Sequence, residues 1–181
     1  MSTILVFWQT IARLKEEKRK GWKKLKLGRS ESVADHSYAV AMLALFIGDL
    51  RRLNVKKLVQ LALLHDLEEA VTGDLTPEDK TRRGEAKVRR DRQEAVERLL
   101  KLFPPRVRHS YRRLWTDLRL RHSKEAQLVH ELDKIELAFQ ANQYSKRTGR
   151  RKVADFYLSA RKEIHDLELQ KTLESLTSKS N

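Results

Sequence analysis

Apolar residues recur every three or four positions along most of the chain, which is the spacing of one face of an α-helix. In the first segment they stand at positions 4, 5, 7, 8, 11, 12 and 14. No stretch of useful length alternates apolar and polar residues as a half-buried strand does. We therefore predict an all-α fold of about seven to nine helices, over about 3–18, 33–53, 55–70, 84–102, 106–120 and 124–147, with one or two more in 153–176.

Capping and turn residues mark where several of these helices begin and end. Ser32 precedes Asp35 by three residues, which is typical of a capping box at the start of a helix. The third helix should stop near Gly73, because glycine favours the end of a helix. A chain of 181 residues has the length of one domain. We expect its core to cover about residues 8–176 and a tail, 177–181, to fray.

The amino-acid composition limits the chemistry that the chain can perform. There are no cysteines, which excludes disulfides, thiolate ligands and a cysteine nucleophile and leaves nitrogen and oxygen as metal ligands. Lysine and arginine number 39 against 25 for aspartate and glutamate, a net charge of +14. Such a surface would attract phosphate-bearing partners, either nucleic acid or small phosphorylated substrates. The 35% of charged residues would also suit a protein from a hot environment.

The hydropathy pattern also predicts where the protein resides. No apolar run reaches about 18 residues, so we expect no segment that spans a membrane. The N-terminus begins with apolar residues and continues with charged ones, which reverses the order found in a secretory signal peptide. We therefore expect a cytoplasmic protein.

Four potential metal ligands fall on the apolar faces or at the ends of predicted helices: His36, His65, Asp66 and Asp133. Taken singly, each has a simpler explanation, such as a hydrogen-bonded core histidine, a polar pair at a helix end, or a carboxylate on a charged surface. The combination favours a metal site, because two imidazoles and two carboxylates from three helices would suit Mn, Co, Ni, Fe or Zn. Coordination positions would remain for water and substrate.

Three motifs in order resemble those of the HD-domain metal-dependent phosphohydrolases, in particular their 5′-deoxynucleotidase branch (the HD-domain-containing protein 2 type): ESVADHSY, LLHDLEEAVTGDL and ELDKIE. The resemblance runs from near Trp8 to about Leu176 and includes RKGW before the first motif and ADFY in the tail. It implies a compact helical bundle of the HD-domain type. It also implies an enzyme that hydrolyses the 5′-phosphate of 2′-deoxyribonucleoside 5′-monophosphates.

By this resemblance the four residues above bind one divalent ion (Mn, Co, Ni, Fe, Zn or Mg), and Glu69 is the catalytic carboxylate beside it. Glu69 follows His65 by four residues and Asp66 by three, so a continuous helix would present all three on one face. For the adjacent Glu68 we favour a structural salt bridge. His130, one turn before the last ligand, would either support that ligand or have a role in the core or between helices.

The resemblance further implies how a nucleotide would bind. Asp74, in the TGD sequence, would contact the 3′-hydroxyl of the sugar. Trp22 would form the wall of the sugar pocket at which a 2′-hydroxyl would clash. Arg19 or Lys20 would meet the phosphate.

The sequence is also compatible with other functions and assemblies. The basic runs KEEKRKGWKK, KTRRGEAKVRRDR and SKRTGRR could belong to a non-catalytic module that binds nucleic acid, although their few aromatic residues argue against it. An HD hydrolase could instead act on a dNTP or a cyclic dinucleotide, but the short chain favours a small monophosphate. A homodimer is possible, and Phe7 and Trp8 could contribute to it or fill the protein's own core.

Overall fold

Ten α-helices and two short 3₁₀ helices make up most of the chain that the computed structural model describes, residues 2–178. The all-α prediction is confirmed, since these residues include no strand. The last two residues of α10 belong to the tail that we expected to fray, and residues 179–181 lie outside the described part. The α-helices are α1 Thr3–Glu16, α2 Val33–Leu50, α3 Val55–Leu64, α4 Glu69–Thr72, α5 Pro77–Arg83, α6 Glu85–Leu100, α7 Pro105–Leu120, α8 Lys124–Thr148, α9 Ala154–Glu163 and α10 Leu167–Ser178, and the 3₁₀ helices are Lys20–Leu25 and Arg150–Val153.

The ten helices of residues 2–178 slightly exceed the predicted seven to nine, for two reasons. The single helix predicted over 55–70 is wrong, because α3 ends at Leu64 and α4 begins only at Glu69. In addition, α5 was not predicted. It starts with a capping box in which the backbone N–H of Asp79 donates to Thr76 Oγ1 at 3.1 Å, and Pro77 occupies the first turn.

The main apolar core lies between α2, α3 and α8. Gly48 permits the close approach of the first two helices, because a Cβ at this position would lie only 2.8 Å from Leu58 Cδ1. Since α2 carries His36 and α8 carries Asp133, packing of this core brings two predicted ligands together. Side chains that are fully shielded in the core include Val40, Ala44, Leu58, Leu61, Leu132 and Ile135.

The N-terminal end of α2 is fixed by the predicted capping box. The backbone N–H of Asp35 donates to Ser32 Oγ at 3.1 Å, and the Asp35 carboxylate accepts from the backbone N–H of Ser32 at 2.8 Å. By length and composition alone α2 could cross a membrane, a test that the core helix of a bundle also passes. Here one side of α2 is buried against α3 and α8.

A short antiparallel pairing joins the segment after α1 to the segment before α2. The backbone N–H of Arg19 donates to the carbonyl of Glu31 at 3.3 Å, and that of Val33 donates to the carbonyl of Glu17 at 2.8 Å. This pairing fixes the backbone of Arg19 beside the start of α2.

Candidate active site

The four predicted metal ligands lie close together around Nε2 of His36. This atom is 3.3 Å from Nε2 of His65, 3.9 Å from Oδ2 of Asp66 and 3.1 Å from Oδ1 of Asp133. Nε2 of His65 is in turn 3.3 Å from Oδ2 of Asp66. The ligand atoms of His36, His65 and Asp66 all lie within 4.8 Å of one another, whereas Asp133 approaches the group from the side of His36.

These separations fit one divalent ion. Ligand atoms that share an ion at about 2.0 to 2.3 Å are themselves roughly 3 to 4 Å apart. The set of two imidazole nitrogens and two carboxylate oxygens suits a divalent transition metal, and its oxygen share also admits Mg²⁺. The side chains of His36, His65 and Asp66 could therefore hold such an ion as they stand, and Asp133 would complete the set by moving toward it from the side of His36.

The second ring nitrogen of each histidine is held by an acceptor. Nδ1 of His36 lies 2.5 Å from Oε2 of Glu136, and Nδ1 of His65 lies 2.7 Å from the carbonyl oxygen of Ala62. Because a carbonyl and a carboxylate accept, Nδ1 carries the proton in both rings. Nε2 of each ring is then directed at the ligand cluster, as a metal-binding histidine requires.

Glu136 is a site residue that the sequence does not indicate, because all that the sequence shows is a charged residue three positions after Asp133. It is 5% exposed and sits one helical turn after that ligand on α8. Burial lowers the pKa of His36, but the hydrogen bonds with Asp133 and Glu136 raise it to about 9. A metal ion would therefore have to displace a proton from His36 in order to bind.

Two cations hold the carboxylate ligands in their ionised form. Nη1 of Arg19 is 2.8 Å from Oδ2 of Asp66, and Nζ of Lys134 is 2.7 Å from Oδ2 of Asp133. Burial acts to raise the pKa of Asp66, but the charges of His65 and Arg19 hold it well below its usual range. Burial has the same effect on Asp133, where Lys134 keeps the pKa low. Both carboxylates are thus charged and ready to bind a cation.

The segment that carries the histidine-aspartate pair turns more tightly than an α-helix. The backbone N–H of Leu67 donates to the carbonyl of Leu64, and that of Glu69 donates to the carbonyl of Asp66 at 3.0 Å. Because bonds of this kind give about three residues per turn, Glu69 aligns with Asp66 rather than equally with His65. The prediction of one continuous helical face is wrong in this detail.

Glu69 lies in a shielded position with one oxygen held. It is 4% exposed, and Oε1 is 3.3 Å from Nη2 of Arg92 on α6. Oε2 is also buried and has no hydrogen-bond partner within residues 2–178. Burial, followed by the charges of Asp66 and Asp74, raises the pKa of Glu69 to about 10. A buried carboxylate with one unpaired oxygen is well suited to exchange a proton with a bound reactant.

Asp74 joins the TGD turn to the segment before the first 3₁₀ helix. Its Oδ2 accepts from the backbone N–H of Lys20 at 2.5 Å, and its own N–H donates to Glu17 Oε1 at 3.3 Å. Gly73 makes this turn possible, because its φ of +72° is a conformation that glycine adopts without strain. Asp74 is 6% exposed, so its position is fixed from several sides.

Trp22, in the first 3₁₀ helix, is buried among aromatic side chains. The ring is 1% exposed and lies 4.2 Å from Phe156 and 5.1 Å from Tyr144, measured between centroids. The indole N–H donates to Glu31 Oε1 at 2.7 Å. The side chain therefore presents little surface to a ligand, but its neighbours prevent it from moving aside.

His130 joins two helices. Its Nε2 lies 3.0 Å from Oε2 of Glu163 at the end of α9. Of the roles considered for His130, the contact favours the interhelical one.

Comparison with known proteins identifies the family. The chain matches the HD domain family over residues 11–176 and belongs to it. It is 34% identical to the protein named 5′-deoxynucleotidase HDDC2 of Danio rerio over 177 residues, which cover 97% of this chain and 87% of that protein. The human protein of the same name is also 34% identical, with 96% of this chain and 84% of that protein covered.

Solved structures agree with this assignment. The PH0347 protein from Pyrococcus horikoshii is 30% identical, with a TM-score of 0.73 and coverage of 97% of this chain and 95% of that one. A structure titled as a predicted metal-dependent phosphohydrolase from Magnetospirillum magnetotacticum is 22% identical, with a TM-score of 0.72 and coverage of 97% and 89%. The second likeness shows the shared fold alone.

Proposed function

We propose that the protein is a metal-dependent 5′-deoxynucleotidase, which hydrolyses 2′-deoxyribonucleoside 5′-monophosphates to the nucleoside and phosphate. The observation that carries this proposal is the convergence of the ligand atoms of His36, His65 and Asp66, with Asp133 beside them and the buried Glu69 nearby. The relatives named 5′-deoxynucleotidase, which match nearly the whole chain, support the substrate class.

The ligand set and Glu69 would have different roles in the reaction. A divalent ion held by the four ligands would lower the pKa of a bound water toward neutrality and polarise the phosphoryl oxygens. In the reaction, the water oxygen bonds to phosphorus, the bond from phosphorus to O5′ breaks, and O5′ gains a proton. Glu69 takes a proton from the water or gives one to O5′. The charge of the ion would bring the pKa of Glu69 down again, toward the range useful for this exchange.

Arg19 is the better candidate of the two cations considered for the phosphate. Its guanidinium contacts Asp66 and so already faces the ligand cluster, and its planar fork matches the oxygens of a phosphate. Lys20 instead supplies its backbone N–H to Asp74, and its ammonium would lie 3.9 Å from a Cβ built on Gly73. We therefore assign the phosphate to Arg19 and a supporting role to Lys20.

Asp74 and Trp22 would select the sugar. The Asp74 carboxylate would accept from the 3′-hydroxyl, and the fixed indole of Trp22 would leave no room for a 2′-hydroxyl. The immobility of both side chains supports this assignment, because a rigid site discriminates between close analogues better than a yielding one.

Substrate selectivity tests this proposal directly. The metal-loaded protein should release phosphate from dAMP with a higher kcat/KM than from AMP, and it should differ little among the four deoxynucleoside monophosphates. Phosphate release would be measured against a panel that also contains dATP and a cyclic dinucleotide. Equal kcat/KM for dAMP and AMP would refute the sugar selectivity, and release only from the larger compounds would refute the monophosphatase. Binding of RNA without hydrolysis would favour the non-catalytic alternative.

We propose further that two copies pair through the outer face of α2. Apolar side chains recur there at intervals of four residues, and α2 contains no lysine or arginine although the chain carries a net charge of +14. The exposed apolar area is on the order of 500 Å², within the range of roughly 300–600 Å² of the largest patch on a protein surface, and such patches are often interaction sites. Phe7, by contrast, packs 5.4 Å from Phe103 within the protein's own core. The exposed side chains of the face are Tyr38 67%, Met42 46%, Leu45 38%, Phe46 63% and Leu50 64%.

The pairing is tested by mass in solution. Light scattering should give about twice the 21.3 kDa of one chain for the wild type and about one chain mass for Phe46→Asp, because a buried carboxylate without a partner is costly. Trp8→Asp is the matched control, since Trp8 is 51% exposed on α1, and it should stay dimeric. A monomeric wild type would refute the pairing.

We propose further that residues 1–181 form a single HD domain with its core over about 8–176, and that the protein acts in the cytoplasm.

A further inference from the structure

Two adjacent glutamates are buried beside the ligand cluster. Glu68 is 6% exposed and Glu69 is 4% exposed, which is unusual because burying a carboxylate is costly unless it is paired. Only one of the two side chains has a role in the proposed reaction, so the second needs its own explanation.

One guanidinium reaches both carboxylates. Arg92 comes from α6, with Nη2 3.3 Å from Oε1 of Glu69 and Nε 3.8 Å from Oε1 of Glu68. Its side chain is 34% exposed, whereas those of the two glutamates are nearly covered. Because the fork of an arginine is planar and rigid, contact with one carboxylate constrains where the guanidinium can meet the other.

We propose that Arg92 is a positioning residue for Glu69 and that Glu68 anchors Arg92 in the required orientation. This inference rests on the proposed function. Arg92 holds Oε1 of Glu69, which leaves the buried and unpaired Oε2 as the oxygen that exchanges the proton. Glu68 adds a second, longer ionic contact of 3.8 Å to Nε of the same guanidinium, so we treat the two glutamates and the arginine as one unit.

Two variants at Arg92 and a control at Arg90 test the proposal. Arg92→Ala should lower kcat for dAMP roughly 10- to 100-fold and change KM by less than about threefold, since an interaction that positions the acid or base acts in the transition state. Arg92→Lys should recover only part of the lost kcat, because an ammonium cannot bridge both carboxylates. Arg90→Ala, an exposed arginine on the same helix, is the matched control and should behave as wild type.

Chemical rescue separates positioning from a general effect on folding. Millimolar guanidinium should restore part of the kcat of Arg92→Ala and should not raise that of the wild type or of Glu69→Ala. Glu68→Ala should lower kcat by less than Arg92→Ala does, and the double variant should be no slower than Arg92→Ala alone, because residues that act as a unit are not additive. Thermal melting and metal content of each variant exclude misfolding.

Several results would overturn the inference. If Arg92→Ala raises KM and keeps kcat, Arg92 binds substrate instead. If Arg92→Ala is fully active, its contacts are a structural ion pair, and if the Glu68 and Arg92 losses multiply, the two residues do not act together. A wild type that is inactive on every monophosphate refutes the nucleotidase itself, which is a different result from an active wild type with an indifferent Arg92.

Discussion

Glu69→Ala should lower the turnover of dAMP roughly 10²- to 10⁴-fold, the usual contribution of a positioned general acid or base. Within residues 2–178, the Glu69 carboxylate makes no hydrogen bond with a proposed ligand atom, so its removal should leave the metal bound. Its loss should also leave KM nearly unchanged, because the proposed contacts with the phosphate and the sugar come from other side chains. Turnover and metal content would be measured on the same preparation, the latter by elemental analysis.

Glu69→Gln sharpens this test, because glutamine keeps the size of the side chain and can still accept from Arg92 but cannot exchange a proton. We expect it to be about as slow as Glu69→Ala. Glu85→Ala, an exposed glutamate at the start of α6, is the control and should retain wild-type turnover. Wild-type turnover in Glu69→Ala at full metal occupancy would refute the assignment of Glu69.

The sequence was sufficient to predict the fold class and the proximity of the predicted ligands. Helical periodicity identified the long elements, and the capping box at Ser32 located the start of α2. His36 and Asp133 then follow from local rules, because each lies on the apolar side of a long helix. That the two side chains lie close together follows from the packing of those helices against one core.

The tight turn after α3 could not be predicted in the same way. The apolar periodicity runs past His65 and Asp66 with no glycine or proline to mark a break, and the turn there contains a local hydrogen bond from Nδ1 of His65 to the carbonyl oxygen of Ala62. The start of α5 could have been predicted, since Thr76 and Pro77 form a typical helix start. The helix itself could not, because none of its residues is buried and its sequence therefore has no apolar periodicity.

Contacts between segments distant in the sequence were the hardest features of the site to predict. Arg92 lies 23 residues after Glu69, in a helix whose many arginines look alike in the sequence. Glu136 lies only three residues after Asp133, but the distinction between a solvated glutamate and one that binds a histidine depends on α2 and α8 packing together. Such roles follow from the fold rather than from spacing.

Asp66→Ala should lose the metal and the activity together. Asp66 supplies a charged oxygen directly to the ligand cluster, so its removal should weaken metal binding by more than the roughly 10- to 100-fold that is typical of residues that only orient a ligand. Glu136→Gln provides the comparison, because Glu136 orients His36 without joining the cluster. Its metal affinity should fall only by that smaller factor. The exposed Asp49→Asn on α2 should bind metal as the wild type does.

Thermal melting measures the same loss without relying on catalysis. An ion present at about 100 times its Kd stabilises the folded protein by about 2.7 kcal/mol, so adding metal to the chelator-treated wild type should raise Tm by several degrees. That rise should be reduced in Glu136→Gln and absent in Asp66→Ala at the same metal concentration. An Asp66→Ala protein that still gains the full Tm increase and retains one ion per chain would show that the ion is bound elsewhere, and the proposed ligand set would be wrong.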